Sequence, residues 1–342
     1  MESRAIRRVA LALVLSFTSI YLLSLIKSGP SAAADFDCTQ AQGKTRVNIE
    51  IAAGETGSQI AQELFDKGVT KSIDSFFRLA VSDPRSAKIA PGVHQIDEEI
   101  CAADALEQLL DNARIQGLIP IIEGMWNREI SELFLKAGYT KDEVRSAFAE
   151  IKPPIPFTSL EGLLFPAQYS FAKETPMSEA LAQIVNRGVA EITKAGLIAG
   201  YQKFSPQELI TIASIIQAEG DTQDFSKVSR VIYNRLAIGM PLQMDSTVHY
   251  VTGSRGNIFL STKSTLIKSP YNTYKNYGLP PGPIGNPGRG ALVAAVNPAK
   301  GNWLYFITVA PGETRFTDNL PEFNRWKVLY KNNLRAGKFG DK

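Results

Sequence analysis

The sequence predicts an α+β protein: one amino-terminal transmembrane helix, a small α/β module, and a larger mixed α+β domain. Three observations predict it. Residues 9–26 are an uncharged apolar run; strand-like and helix-like patterns alternate over residues 46–116; and within residues 176–336 several helical periodicities are followed by a β-rich apolar run. With 342 residues, 44% hydrophobic and 21% charged, the chain can build more than one core and fits neither a disordered nor a multi-span membrane protein.

The first element is residues 9–26, VALALVLSFTSIYLLSLI, long enough for one bilayer crossing, which takes ~17 to 25 apolar residues. Arg4, Arg7 and Arg8 precede it, so residues 1–8 are expected in the cytoplasm and the body outside the cell membrane, extracellular or periplasmic. The rival is a cleaved secretory signal, with Ala32, Ala33 and Ala34 as its small residues; the run exceeds the ~7 to 15 apolar residues of a signal core, which favours an anchor. Residues 27–45 read as a tether. Asp35, Phe36 and Asp37 before Cys38 make no lipobox.

Cys38 and Cys101 either pair in an oxidising space or remain two buried thiols, and both readings stay open. With His94 and His249 they show none of the short spacings of a zinc site, so neither a metal nor another cofactor is expected. The net charge of +3 is partly made by the three amino-terminal arginines, which gives no footprint for nucleic acid.

In the module, Val47, Ile49 and Ile51 alternate as in a half-buried strand, a Gly-rich turn leads to a helix with Ile60, Leu64 and Phe65, and Phe76, Phe77 and Ala80 mark a second helix. A return strand around Val93 to Ile96 and a helix through Leu106, Leu109 and Leu110 close it. The connecting segment, residues 117–175, holds an apolar run into Glu123-Gly124-Met125-Trp126, a helix through Leu133 to Leu135, and LEGLLFPAQYSF at residues 160–171, read as buried irregular structure.

Residues 176–336 carry the chemistry. Ser205-Pro206-Gln207-Glu208 has a cap, Pro at the first helical position and Glu to complete a capping box, predicting a helix from there to Glu219. Leu209, Ile212, Ala213 and Ile216 define its buried face, and Glu219 continues that stripe. A desolvated carboxylate at the negative end of a helix dipole is disfavoured as an anion, so Glu219 is expected to hold its proton and can serve as a general acid. The alternative is that Glu219 turns out to solvent before Gly220. A second helix with Val228, Val231, Ile232 and Leu236 inside leaves Arg230 and Arg235 outside and ends at Gly239; Asp245 caps a further element or faces the site.

SPYNTYKNYGLPPGPIGNPG, residues 269–288, is too rich in Pro and Gly for helix or strand. Its tyrosines and Asn272 suit a saccharide groove or a packed loop. Ala291 to Ala295 reads as helix, Trp303 to Val309 as a buried strand, residues 313–325 as a final strand and turn, and residues 337–342 as a solvated tail.

The strings ASIIQAEG, KVSRVIYNRLAIGMPLQMDSTVHY, SPYNTYKNYGLPPGPIGNPG and AAVNPAKGNWLYFI, in that order, resemble the endolytic murein transglycosylase (YceG-like) family. LEGLLFPAQYSF is similar to that family's EG-x-LFP segment, and residues 46–116 to its LysM-like module. The resemblance implies a transglycosylase catalytic domain at residues 176–336 that cleaves the bond between N-acetylmuramic acid and N-acetylglucosamine. It places the catalytic glutamate at Glu219, which would protonate the glycosidic oxygen and then, as carboxylate, deprotonate the muramyl 6-hydroxyl to leave a 1,6-anhydro end. It places Gln243, Asp245, Tyr271, Asn272, Thr273 and Tyr274 in the surrounding substrate groove. A peptidoglycan hydrolase using Glu219 and Asp245, or a non-catalytic peptidoglycan-binding scaffold, are the other readings. The implied partners are peptidoglycan strands, peptidoglycan synthases and the elongation or division machinery. The chain departs from the family at Gln217, where an acid is usual, and at Thr314 and Phe323, where histidines are usual.

Overall fold

A computed structural model describes residues 33–38, 45–52, 54–171, 174–255 and 264–339. The predicted spanning segment, residues 9–26, lies outside the described residues, and no helix among the described residues is long and apolar enough to cross a membrane. The chain divides into two compact units, Met1–Ile115 and Gln116–Lys342.

The first unit contains strand β1 (Arg46–Ile51), helices α1 (Gly57–Asp66) and α2 (Ile73–Ser82), strand β2 (Gly92–Asp97) and helix α3 (Ala102–Leu110), and ends within the two-residue strand β3 (Ile115–Gln116), with the strands in the order β1-β2-β3. The strand alternation works as read: Ile49 and Ile51 point into the core, and Ile49 lies opposite His94 in the antiparallel register. Thr56 and Gln59 close a capping box on α1, and the Ser72 hydroxyl accepts the Ser75 N–H to start α2. Leu64, Phe76, Ile96, Leu106 and Leu109 fill the space between sheet and helices. His94 is fully buried, its Nε2 2.8 Å from the Ala90 carbonyl, and burial lowers its pKa, which makes it a neutral core residue.

Cys38 and Cys101 are joined in a disulfide, with Cα atoms 5.1 Å apart. Beside it, the Asp35 carboxylate accepts the Ala102 N–H at 3.1 and 3.2 Å, at the positive end of α3. Residues 33–38 are thus held to α3 by a covalent bond and a charge-assisted cap.

The second unit opens with strand β4 (Leu118–Ile121), helices α4 (Asn127–Lys136) and α5 (Lys141–Glu150), and strand β5 (Ala167–Ser170), which pairs antiparallel with β4. Helix α6 (Met177–Lys194) packs on them around Ile119, Ile130, Phe134, Leu164 and Leu181. A second core gathers helices α7 (Pro206–Glu219), α8 (Phe225–Ala237), α9 (Asp245–Thr252) and α10 (Arg289–Val296) around Ile212, Ile216, Val228, Ile232 and Leu292. The hairpin of β6 (Tyr305–Ala310) and β7 (Glu313–Thr317) follows.

Three elements differ from the sequence reading. The strand read as buried from Trp303 to Val309 is β6, which starts at Tyr305, and of its residues only Val309 is buried. Helix α7 is buried on every side from Leu209 to Ile216, because Thr211 and Ser214 sink their hydroxyls onto the carbonyls of Gln207 and Thr211. An all-round buried helix has no amphipathic stripe, so the stripe read onto Glu219 was not what fixed its direction. Residues after 317 form no simple turn but helix α11 (Leu320–Arg335), capped by Asn319; most of its surface is solvated and Asn333 is its buried residue, so it carries little apolar period.

Candidate active site

The site is assembled on α7. Its capping box, Ser205 with Glu208, and Pro206 at the first turn start it where the sequence indicated. From the same helix, Ser214 Oγ accepts the N–H of Ile284 at 3.0 Å and Gln217 Oε1 accepts the N–H of Gly288 at 2.9 Å. Residues three apart share one helix face, so α7 seats the Pro/Gly-rich loop at two points. Gln217 thereby has a positioning role that an acid could also fill as an acceptor.

The same loop is locked to the EG segments by Asn286, which is fully buried. Its side-chain oxygen accepts the N–H groups of Gly162 and Leu164 at 3.0 and 2.8 Å, and its amide nitrogen donates to the Met125 carbonyl and Asn127 Oδ1, each at 2.9 Å. Its backbone accepts from Gly124 and donates to Met125. These chains approach too closely for side chains at two points. A Cβ on Gly162 would lie 2.9 Å from Pro283, one on Gly285 would lie 2.7 Å from the Gly124 carbonyl, and both residues have positive φ.

Between these segments opens a cleft of about 450 Å³, lined by Glu123, Gly124, Trp126, Gln217, Ala218, Glu219, Asp245, Ser246, His249, Ser254, Arg255 and Ile284. Glu219 is half-buried at the last residue of α7. Its Oε1 accepts the Ser246 N–H, 3.1 Å away in the first turn of α9. The carboxyl therefore stands between the negative end of one helix and the positive end of another. Burial raises its pKa; the Ser246 hydroxyl and N–H favour the anion, the neighbouring Asp245 charge raises the pKa further, and the Arg235 charge lowers it. The environment favours the acid at rest and keeps stabilising groups ready for the anion.

Arg235 was read as outward-facing; it is buried instead, 6% exposed. Its guanidinium is satisfied by main-chain carbonyls, Nε to Leu304 at 2.7 Å and Nη1 to Leu242. The desolvation of a cation is made tolerable by these acceptors and by the Glu219 carboxyl nearby. Sequence reasoning assigned the arginine to the solvent face because a charge on a helix usually lies there.

The predicted groove residues divide. Asp245 opens α9 and accepts the Tyr274 hydroxyl, while Met244 takes the cap position. Burial, followed by the bond to Asp245, pushes the Tyr274 phenol well above its usual range. Tyr271 is half-buried with its ring 5.1 Å from that of Tyr250. Gln243 is exposed at a positive φ of 49°, its N–H on the Thr273 carbonyl. Asn272 and Thr273 are each 1% exposed and bond within the chain: Asn272 Nδ2 to the carbonyls of Thr265 and Ile267, Thr273 Oγ1 to the Met244 N–H and the Thr247 hydroxyl. These two are buried and bonded within the chain, and neither lines the cleft that holds Glu219.

Sequence reasoning missed Glu123, Trp126, His249 and Arg255 as cleft residues. Trp126 carries the guanidinium carbons of Arg128 and Arg255 each 3.9 Å from its ring centroid, and Arg255 also pairs with Glu129 at 2.5 and 2.7 Å. Glu161, of the EG segment, is buried. It accepts the Asn127 N–H and the Tyr250 hydroxyl, each at 3.1 Å, and burial pushes its pKa up to about 7. The density of Glu-Gly pairs before aromatic runs was the available signal for both EG segments. Where histidines were absent from the tail, Thr314 hydrogen-bonds Thr308 across the hairpin and Phe323 stacks on Tyr305.

A model of the YceG-like family matches residues 49–328. The endolytic murein transglycosylase of Bacillus subtilis (strain 168) is 32% identical over 309 residues, 84% of this chain and 85% of that protein. The endolytic murein transglycosylase of Streptococcus pneumoniae serotype 2 is 35% identical over 172 residues, 48% of this chain but 31% of its own longer sequence. A solved structure from Listeria monocytogenes, described as a yceG-like protein, has 27% sequence identity and a TM-score of 0.53, covering 83% of this chain and 99% of that one.

Proposed function

Because this chain belongs to the YceG-like family, we propose that it is an endolytic peptidoglycan transglycosylase with Glu219 as its general acid and then its base. The observation that carries the reading is the setting of Glu219: a carboxyl with raised pKa, facing a cleft, between the ends of α7 and α9. A protonated acid is required to donate to the glycosidic oxygen between N-acetylmuramic acid and N-acetylglucosamine. Once it has done so, the Ser246 N–H and the Arg235 charge stabilise the carboxylate that forms, and that carboxylate can take the proton of the muramyl 6-hydroxyl. The C6 oxygen attacks the anomeric carbon, the leaving sugar departs with the proton donated first, and a 1,6-anhydro end results.

An internal nucleophile makes a second carboxylate unnecessary, whereas ordinary glycosidases use two. Asp245 and Glu123 line the same cleft, which keeps hydrolysis as the second reading. Against it, the Asp245 carboxylate is engaged by the Tyr274 hydroxyl. Digesting purified glycan strands with the wild type and Glu219→Gln, followed by mass analysis of the new ends, separates the two. Anhydro ends from the wild type, lost in the variant, are expected; reducing ends heavier by one water throughout overturn the lyase reading.

Of the expected groove residues Asp245 lines the cleft; in this proposal Gln243, Tyr271 and Tyr274 extend the groove beyond it, with Asn272 and Thr273 fixing its wall. Residues 9–26 anchor the chain in the cell membrane, residues 46–116 form a LysM-like module, and the body works outside the membrane beside peptidoglycan synthases. The Cys38–Cys101 disulfide supports an oxidising compartment.

A further inference from the structure

Two guanidinium groups rest on one indole at the edge of the cleft. The Cζ atoms of Arg128 and Arg255 are each 3.9 Å from the centroid of the Trp126 ring, and Trp126 and Arg255 line the cleft that holds Glu219. The two differ in what neutralises them. Arg255 pairs with Glu129 through Nε and Nη2, at 2.5 and 2.7 Å, so its charge is answered within the chain. Arg128 is exposed and, among the described residues, forms no ion pair. The Glu161 carboxyl feels its charge, but the Glu161 oxygens are taken by the Asn127 N–H and the Tyr250 hydroxyl.

Arg128 is nonetheless fixed in place. It stacks on Trp126, its Nη2 donates to the Tyr250 carbonyl at 3.2 Å, and Gly253, at a φ of +69°, leaves it room, since a Cβ there would lie 3.3 Å from Nη1. An arginine held this way has already given up the rotamer freedom that binding would take. Most of its N–H donors are unspent among the described residues, and a rigid guanidinium fork matches a carboxylate.

We propose that Arg128, seated on Trp126 at the cleft edge, binds a carboxylate on the lactyl and peptide arm of the muramyl sugar. The inference rests on the transglycosylase reading and deepens it. In a strand of alternating sugars only the muramyl residue carries such an arm, so a carboxylate-binding group beside the cleft tells it from N-acetylglucosamine and sets the register in which the strand lies against Glu219. The interior of the cleft is unsuited to the same task, because Glu123 and Asp245 line it and repel an anion. The arm is therefore held at the edge, while the uncharged sugar enters. Arg128 is a specificity residue here, and Glu219 remains the group that moves the proton.

The test measures Kd of the full chain for glycan strands in a Glu219→Gln background, which leaves the strands intact. The probes are native strands, the same strands with their carboxylates converted to amides, and strands stripped of peptide by an amidase, which keep a free lactyl carboxylate. Amidation weakens binding about fivefold, the upper end of what an exposed ion pair gives. R128Q weakens binding to native strands by about the same factor and is indifferent to amidation, as coupled partners require. R128K keeps the charge but not the fork and recovers part of the loss. Rising ionic strength shrinks the preference for native strands. A lost stacking contact alone would weaken native and amidated strands alike. An effect of R128Q that persists on stripped strands assigns the carboxylate to the lactyl group, and one confined to peptide-bearing strands assigns it to the peptide. Equal affinity of the parent for native and amidated strands overturns the carboxylate site, and a preference that survives in R128Q overturns Arg128 as its holder. Should R128Q lose its thermal transition, R128K against native and amidated strands decides. The end products of the wild type are read separately: strands bound with this preference but released without anhydro ends defeat the transglycosylase reading and leave the site standing.

Discussion

Replacing Asn286 by Ala tests the claim that one buried amide holds the cleft together. In the wild type its Oδ1 satisfies two buried N–H groups, of Gly162 and Leu164, and its Nδ2 satisfies the Met125 carbonyl and Asn127 Oδ1. Truncation leaves the two donors unpaired in a region from which water is excluded, at ~1 to 3 kcal/mol each. The carbonyl has a second bond, from the Asn286 backbone N–H, and loses less. Allowing for partial relaxation, the loss is about 4 kcal/mol, against a total stability on the order of 5 to 15 kcal/mol. Urea unfolding followed by tryptophan fluorescence, to which Trp126 one residue from these contacts contributes, reads it as a fall in midpoint at constant slope. Asn286→Asp keeps the acceptor but faces the Glu161 carboxyl, 3.4 Å from Nδ2 in the wild type, so its loss grows as pH rises past 7. A loss below ~1 kcal/mol for Asn286→Ala would show that the two N–H groups find other partners and that the amide is not the organising contact.

The remaining predictions concern titration and covalent structure. Glu161 has its pKa raised from 4.5 to about 7, so between those values the folded chain holds a proton that the unfolded chain has released. Its contribution is complete below pH 4.5 and lost by about pH 7, on the order of 3 kcal/mol; Glu161→Gln should flatten the decline in unfolding free energy over that window, and an unaltered slope would refute the assignment. Glu219 is also raised, by burial first, so Glu219→Gln should lower strand cleavage by at least ~10²-fold while raising the thermal midpoint wherever the pH is high enough to ionise the wild-type carboxyl in its desolvated place. A midpoint that falls instead would mean the carboxylate is net stabilising. Reduction of Cys38–Cys101, which closes a separation of 63 residues, should destabilise the first unit by about 4 kcal/mol, and identical melting with and without reductant would contradict this.

Much of the fold was legible because local chemistry agreed with tertiary packing. Ser205 with Glu208 starts its helix as the capping rule requires, and the alternation of Ile49 and Ile51 matches the buried face of β1. What escaped the sequence was determined by distant partners. Arg235 is inside because the carbonyls of Leu242 and Leu304, from separate segments, receive its guanidinium. Glu161 lies in a segment read as buried, but its partners, Asn127 and Tyr250, come from separate segments. No periodicity encodes such meetings. Helix α11 was missed for the opposite reason: it is mostly solvated, and its cap, Asn319, stands before a segment with little apolar repeat.

The departure at Gln217 sharpens how the acid is tuned. An acidic residue there would add a like charge two positions before Glu219, but on a helix residues two apart do not face each other. The Gln217 amide in fact reaches away to the Gly288 N–H, and either a carboxylate or an amide oxygen could accept it. The proton on Glu219 is governed elsewhere: by burial, by Asp245 and by the opposed contributions of Ser246 and Arg235. Arg235 is in turn held by carbonyls and Ser246 by its place at the start of α9, so neither needs a residue at 217 to stay in position. It follows that Gln217→Glu should leave the pH profile of cleavage nearly unchanged, whereas Gln217→Leu, which abandons the Gly288 N–H, should loosen the loop and weaken cleavage. A profile displaced by Gln217→Glu, measured on the same glycan strands, would restore a charge partner to the mechanism.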